Sequence, residues 1–268
     1  IVFGDWSSDV CSSDLWSAVR GVDLFGVKRL VNKHHRRRGL PPVDDFWSHF
    51  LGDEVIVAAD PEVAPPPSDI RQKYIQTGYW HLPDNNELSP DIQTFLASGD
   101  PPVYAGFGSM TSGDPALVTQ ILIGAARAAG ARLILSQGWA GLGGNRSDPD
   151  ILVIGPASHA RLFPHLAAVI HHGGAGTTHT AARCGVPQVI IPHILDQFYW
   201  GSRIHRQGLG PRPIWRTRLK TDVLAAALGR AVADRDIRRN AAAAAERMRR
   251  RNALDQAVRY IEEQALAA

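Results

Sequence analysis

Hydrophobic and polar positions fall into a regular alternation beyond Pro90. Residues 103–107, 132–136, 151–154, 168–170 and 188–191 are short apolar runs that read as buried strands. Between them, residues 115–129, 161–166, 177–184 and 197–207 carry the apolar spacing of helices. Strands alternating with helices predict an α/β fold built on a doubly wound parallel sheet. In such a sheet ligands bind beyond the carboxyl ends of the strands, and each glycine or polar cluster in this stretch follows a predicted strand.

The pattern before Pro90 is less regular. Residues 16–56 mix a helical period with a basic run and a Gly39-Leu40-Pro41-Pro42 turn, and residues 55–59 read as one more short strand. Four prolines between positions 61 and 67 remove backbone donors and favour an extended connector. At the other end, residues 221–264 are rich in alanine and arginine and contain no proline, which predicts one or two long helices packed outside the sheet.

Composition narrows the function classes. No apolar run approaches the roughly 18 residues that cross a bilayer. The net charge of +3 is concentrated at Arg36-Arg37-Arg38 and in residues 247–251. Such clusters are read first as solvated helix faces; peripheral contact with an anionic membrane is the alternative, and no nucleic-acid partner is expected. With only Cys11 and Cys184 there is neither a disulfide framework nor zinc spacing, so a reducing, cytoplasmic location is expected. Residues 7–15 resemble a translated sequencing adapter, because one reading frame of that DNA text gives Asp9 to Leu15 without a mismatch. Residues 1–15 are therefore set aside as an artefact, as a fusion scar would be, and Cys11 with them.

The most informative chemistry begins where the strand at 168–170 ends, in His171-His172-Gly173-Gly174-Ala175-Gly176-Thr177-Thr178. A turn without bulky side chains lets phosphate oxygens approach backbone N–H groups, and the positive end of the following helix favours their charge. The histidines can add hydrogen bonds to those oxygens, and the threonines can cap the helix or touch phosphate. Further along stand Gly185-Val186-Pro187-Gln188, Pro192 and Asp196-Gln197. Taken together, residues 156–211 resemble the donor-binding signature of UDP-dependent glycosyltransferases of the two-domain GT-B type, closest to the sterol and antibiotic glucosyltransferase branch.

That resemblance implies roles residue by residue. His172 matches the histidine that hydrogen-bonds the donor diphosphate, with Gly174, Ala175, Gly176 and Thr177 supplying contacts beside it. Ser109, after the first strand of the domain, resembles a second phosphate contact, with a helix cap as the alternative for a serine after a strand. Asp196 and Gln197 match the acid–amide pair that grips the sugar hydroxyls, although Asp196 also stands where an N-cap would. Trp139, Ser158 and His159 sit where the family contacts the base, and Trp139 could instead be a packed aromatic. His171 is read as structural, and His165, His179 and His193 as near-site or surface residues.

The resemblance implies inverting transfer of a hexose from a UDP-sugar to a hydroxyl of a lipophilic acceptor such as a sterol or polyketide. The UDP-sugar is a co-substrate; no metal and no other cofactor is implied, and the protein is expected to be a monomer. The implied organisation is a remnant of the N-terminal acceptor domain at 16–60, an interdomain linker at 61–85 and the C-terminal nucleotide-sugar-binding domain at 86–268. The family's general base is a histidine near the start of the acceptor domain, and His34, His35 and His49 do not match it. The chain is thus expected to bind donor but to be inactive alone, with no catalytic residue of its own. Two other readings remain open: a non-catalytic nucleotide-sugar binding module, and a GT-B epimerase or N-acetylglucosaminyl transferase.

Overall fold

The computed structural model describes residues 26–267 apart from 53, 68, 69, 71, 72, 83, 85, 111–113, 140 and 145–147. The adapter-like residues, Cys11 and the start of the acceptor-domain remnant lie outside the described residues.

Five parallel strands form the central sheet: β3 (Val103–Gly106), β4 (Leu133–Ser136), β5 (Ile151–Ile154), β6 (Ala168–His171) and β7 (Gln188–Ile190), in the order β5-β4-β3-β6-β7. Two further strands, β1 (Glu54–Val57) and β2 (Lys73–Gln76), pair in parallel as a separate ribbon. The helices are α1 (Val27–Arg37), α2 (Phe46–Leu51), α3 (Pro90–Ala97), α4 (Pro115–Ala128), α5 (His159–Leu162), α6 (Ala175–Cys184), α7 (Gln197–Arg206), α8 (Thr221–Ala233), α9 (Arg235–Arg249) and α10 (Ala253–Ala267). Short 3-10 turns follow at Phe163–His165 and Arg216–Arg218.

The expected doubly wound parallel sheet is present, and its strand residues alternate between two covered faces. Val103, Ala105, Leu133, Leu135, Ala168 and Ile170 join one core with α4 and α8. Tyr104, Ile134 and Val169 join the opposite core with α3, α5 and α6. Because both faces are covered, the strands read as continuous apolar runs rather than as half-polar ones. A third cluster, around Ile190, Ile204, Ala241, Ala244 and Met248, packs α7 and α9 beside α6.

One local expectation changes. The tail is three helices rather than one or two. Asp234 ends the first break, its carboxylate accepting from the N–H groups of Asp236 at 2.9 Å and Ile237 at 3.3 Å. Residues 250–252 make the second, and Asn252 Oδ1 accepts from Asp255 N. The proline-rich segment packs against the helical tail: Val63 is fully buried, and Asp60 and Glu62 both accept from Arg251 at 2.9 Å.

Candidate functional site

The sheet order places a topological switch point between β3 and β6. The chain winds outward from β3 through β4 to β5, then lays β6 on the other side of β3. Loops leaving the carboxyl ends of β3 and β6 therefore diverge and open a crevice, the position where ligands bind in such sheets. Gly106 at the end of β3 is the register partner of His171 at the end of β6, so the two loops that follow face each other. An ideal Cβ on Gly108 would lie 3.5 Å from His172 Cε1.

The turn after β6 is held from below by its first histidine. His171 is fully buried; its Nδ1 accepts from Gly173 N at 3.1 Å, so its Nε2 carries the proton and donates to Gln188 Oε1 at 2.9 Å. Gln188 Nε2 in turn donates to Thr178 O on α6 at 3.1 Å. This chain of bonds ties the ends of β6, β7 and α6 together. Burial pushes the His171 pKa down to about 3, so the ring is neutral, as the structural reading of that residue requires. Gly173 has φ 89°, a conformation natural to glycine.

His172 points the other way. It is half-buried over the turn, and an alanine Cβ at Gly174 would stand 2.5 Å from its Nε2. Its Nδ1 has no partner among the described residues. Burial lowers its pKa, His193 adds to that and Asp196 opposes it, so the ring is neutral with one N–H to offer. Gly174 is the N-cap of α6 and brings no side-chain cap, which leaves the first-turn N–H groups of Ala175, Gly176 and Thr177 directed out of the helix. Thr178 is fully buried and its hydroxyl donates back to Gly174 O at 2.9 Å, so it does not face the crevice.

The remaining candidates surround the same edge of the sheet. Ser109 is exposed beside Gly108. Asp196 precedes α7 without making a side-chain cap; its Oδ2 accepts from Trp200 Nε1 at 2.8 Å. Gln197 is buried, with Oε1 accepting from His193 N at 2.7 Å and Ile194 N at 3.0 Å, and with Nε2 directed at Met110 Sδ. Trp139 is 80% exposed and is not a packed aromatic; its backbone N donates to Gly108 O at 3.0 Å, which ties the loop after β4 to the crevice. Ser158 caps α5 by accepting from Arg161 N, while His159 stacks on Phe163 at 4.5 Å and meets the Tyr104 hydroxyl at 3.0 Å. His179, read beforehand as near-site or surface, is fully buried. Tyr79, which no periodicity singles out, stacks on His179 at 4.7 Å and reaches the first turn of α6.

Residues 149–263 match the family described as erythromycin biosynthesis protein CIII-like, C-terminal domain. The chain is 48% identical over 182 residues to the vancomycin aglycone glucosyltransferase of Amycolatopsis orientalis, covering 68% of this chain and 44% of that protein. It is 32% identical over 228 residues to a sterol 3-beta-glucosyltransferase of Arabidopsis thaliana, covering 81% of this chain and 37% of that one. This chain carries the C-terminal domain of the antibiotic and sterol glycosyltransferase family. Its GT-B fold is that of the kitacinnamycin glycosyltransferase structure, with a TM-score of 0.74 at 19% identity over 94% of this chain and 66% of that one. The chain spans about half the length of the relatives it matches, 44%, 41% and 53% of three Amycolatopsis proteins.

Proposed function

We propose that this glycosyltransferase domain binds the donor of an inverting hexosyl transfer, a UDP-sugar whose acceptor is a hydroxyl of a lipophilic molecule such as a sterol or polyketide. The observation that carries the reading is the uncapped first turn of α6 at the switch point, with His172 lying over it. In this reading the diphosphate rests on the N–H groups of Ala175, Gly176 and Thr177, with Gly174 sparing it a side chain and Ser109 reaching it from across the crevice. Neutral His172 donates one more hydrogen bond. Asp196 offers its second carboxylate oxygen to a sugar hydroxyl, and Trp139 gives the base a face to stack on. Ser158 and His159 border the base side.

The chemistry follows from where charge develops. An acceptor oxygen attacks the anomeric carbon as the bond from that carbon to the diphosphate oxygen breaks, and the acceptor proton passes to a base on the acceptor side. Negative charge grows on the leaving diphosphate, where the helix dipole and the fixed N–H donors stabilise it without reorganising. The names of relatives, a vancomycin aglycone glucosyltransferase and sterol 3-beta-glucosyltransferases, support a hexose donor and an apolar alcohol. The protein is read as a cytoplasmic monomer, and no described helix is long and apolar enough to cross a membrane.

Calorimetric titration with UDP-glucose tests the reading. The chain should bind UDP-glucose and UDP, and His172→Ala should weaken both about ten- to hundredfold, the worth of a hydrogen bond to a charged group, with an unchanged melt. Absence of binding by the parent chain would refute the donor site, and unchanged affinity in the variant would remove His172 from it.

A further inference from the structure

The segment before the domain contributes one aromatic ring to the site. Tyr79 lies outside the sheet, between β2 and α3, yet an alanine Cβ built on Gly176 would stand 3.0 Å from its hydroxyl oxygen. Gly176 is the second residue of α6, so that hydroxyl lies at the first turn, beside the N–H groups assigned to the diphosphate.

The ring is gripped on several sides. Its face stacks on His179 at 4.7 Å with 14° between planes, and His81 meets it edge-on at 4.9 Å. His179 is fully buried, and its Nδ1–H donates to Ala175 O at 2.8 Å, which fixes the stacking partner to the same helix turn. The Tyr79 backbone N donates to Asp60 Oδ2 at 3.3 Å, and buried Asp60 is paired with Arg251. His179 also meets Trp200 edge to face at 4.9 Å, and Trp200 Nε1 donates to Asp196. A chain of ring contacts, one stacked and one edge-to-face, therefore joins Tyr79, the α6 turn and the acid before α7.

A brace would need only the ring, and phenylalanine would supply it while sparing the dehydration of a hydroxyl. The hydroxyl instead makes no hydrogen bond with a described residue, and residue 176 is glycine where any larger side chain would crowd it. We propose that Tyr79 is a further donor-site residue, whose hydroxyl donates a hydrogen bond to the diphosphate held at the first turn of α6. This rests on the donor-binding reading above. The pre-stacked ring loses little freedom on binding, so the bond is formed without an ordering cost.

Tyr79→Phe tests it, because the stack on His179 is kept and only the hydroxyl is lost. UDP affinity, measured by calorimetry, should fall about tenfold, at the lower end for a charged hydrogen bond because water can replace part of it. Uridine, followed by ligand-observed NMR, should bind parent and variant alike, and the melting temperature should not move. UDP affinity within twofold of the parent would overturn the proposal while leaving the donor site standing. Equal weakening of UDP and uridine with a lowered melt would also overturn it, since Tyr79 would then be only a brace. No UDP binding by the parent would overturn the donor site and this residue with it.

Discussion

Adjacent glycines in the turn after β6 should fail in opposite ways when changed to alanine. At Gly173, φ is 89° and a Cβ would stand 2.8 Å from Ile190 Cγ2 and 3.0 Å from Gln197 O. Left-handed backbone in a non-glycine residue costs roughly 1–2 kcal/mol and overpacking roughly 1–3 kcal/mol, so Gly173→Ala should lose about 2–5 kcal/mol. For a chain of this size that lowers the melt by roughly 5–20 °C. At Gly174, φ is −63° and ψ 140°, an extended conformation that alanine adopts freely. Alanine there restricts the unfolded chain and gains roughly 0.4–1 kcal/mol. Its only severe collision is with His172 Nε2 at 2.5 Å, and that half-buried ring can turn aside. Gly174→Ala should therefore melt within about 2 °C of the parent. Its UDP affinity should drop about ten- to hundredfold, because the displaced ring no longer donates. Thermal melts and UDP calorimetry on the two variants read this directly. Parent-like affinity in Gly174→Ala, or a parent-like melt in Gly173→Ala, would refute this division of labour.

Asp196→Asn keeps an acceptor for Trp200 Nε1 but removes the charge, so UDP-glucose should bind about three- to tenfold more weakly with free UDP unchanged; equal loss for both ligands would count against a sugar contact. Acid should destabilise the fold through His171: a folded pKa of about 3 against 6.5 unfolded means its contribution is complete above pH 6.5 and is lost as pH falls toward 3. Between pH 6.5 and 4.5 that amounts to about 2 kcal/mol, and His159, His172 and His179, whose values burial also lowers, act in the same direction. Denaturant titrations across that range should show a shallower slope for His171→Asn; an identical slope would clear His171.

How much was legible in the sequence varies with the kind of interaction. The central strands were readable because both sheet faces are covered, which makes each strand an apolar run. β2 escaped notice because Lys73-Tyr74-Ile75-Gln76 is four residues long and gains its strand character only by pairing with β1. α6 begins at Ala175 rather than at Thr177, inside a stretch of poor helix formers. The bonds from His171 through Gln188 to Thr178 supply what propensity lacks there, and such a tertiary tie leaves no periodic trace. The breaks in the tail did leave one, in the caps at Asp234 and Asn252, which the alanine-rich composition obscured. Nothing local to Tyr79 indicates that its hydroxyl reaches Gly176, about a hundred residues later.

The loop before α7 shows why two neighbouring residues with one implied task divide it. Leu195 has φ 49°, which costs a non-glycine residue of order 1–3 kcal/mol, and it is 78% exposed, so packing does not hold it there. Gln197 does so from inside, its Oε1 accepting from both His193 N and Ile194 N immediately before the strained residue. Swinging that amide out to a sugar would give up two hydrogen bonds, each worth about 1 kcal/mol, and would release the loop that presents Asp196. These bonds suit Gln197 to positioning, which leaves the proposed sugar contact to Asp196. The bond from Trp200 to Asp196 then links the proposed sugar contact to the ring contacts that end in Tyr79. A donor that engaged the first turn of α6 and Asp196, as proposed, would meet two groups already joined through Tyr79, His179 and Trp200, which would favour a set spacing of its diphosphate and sugar contacts.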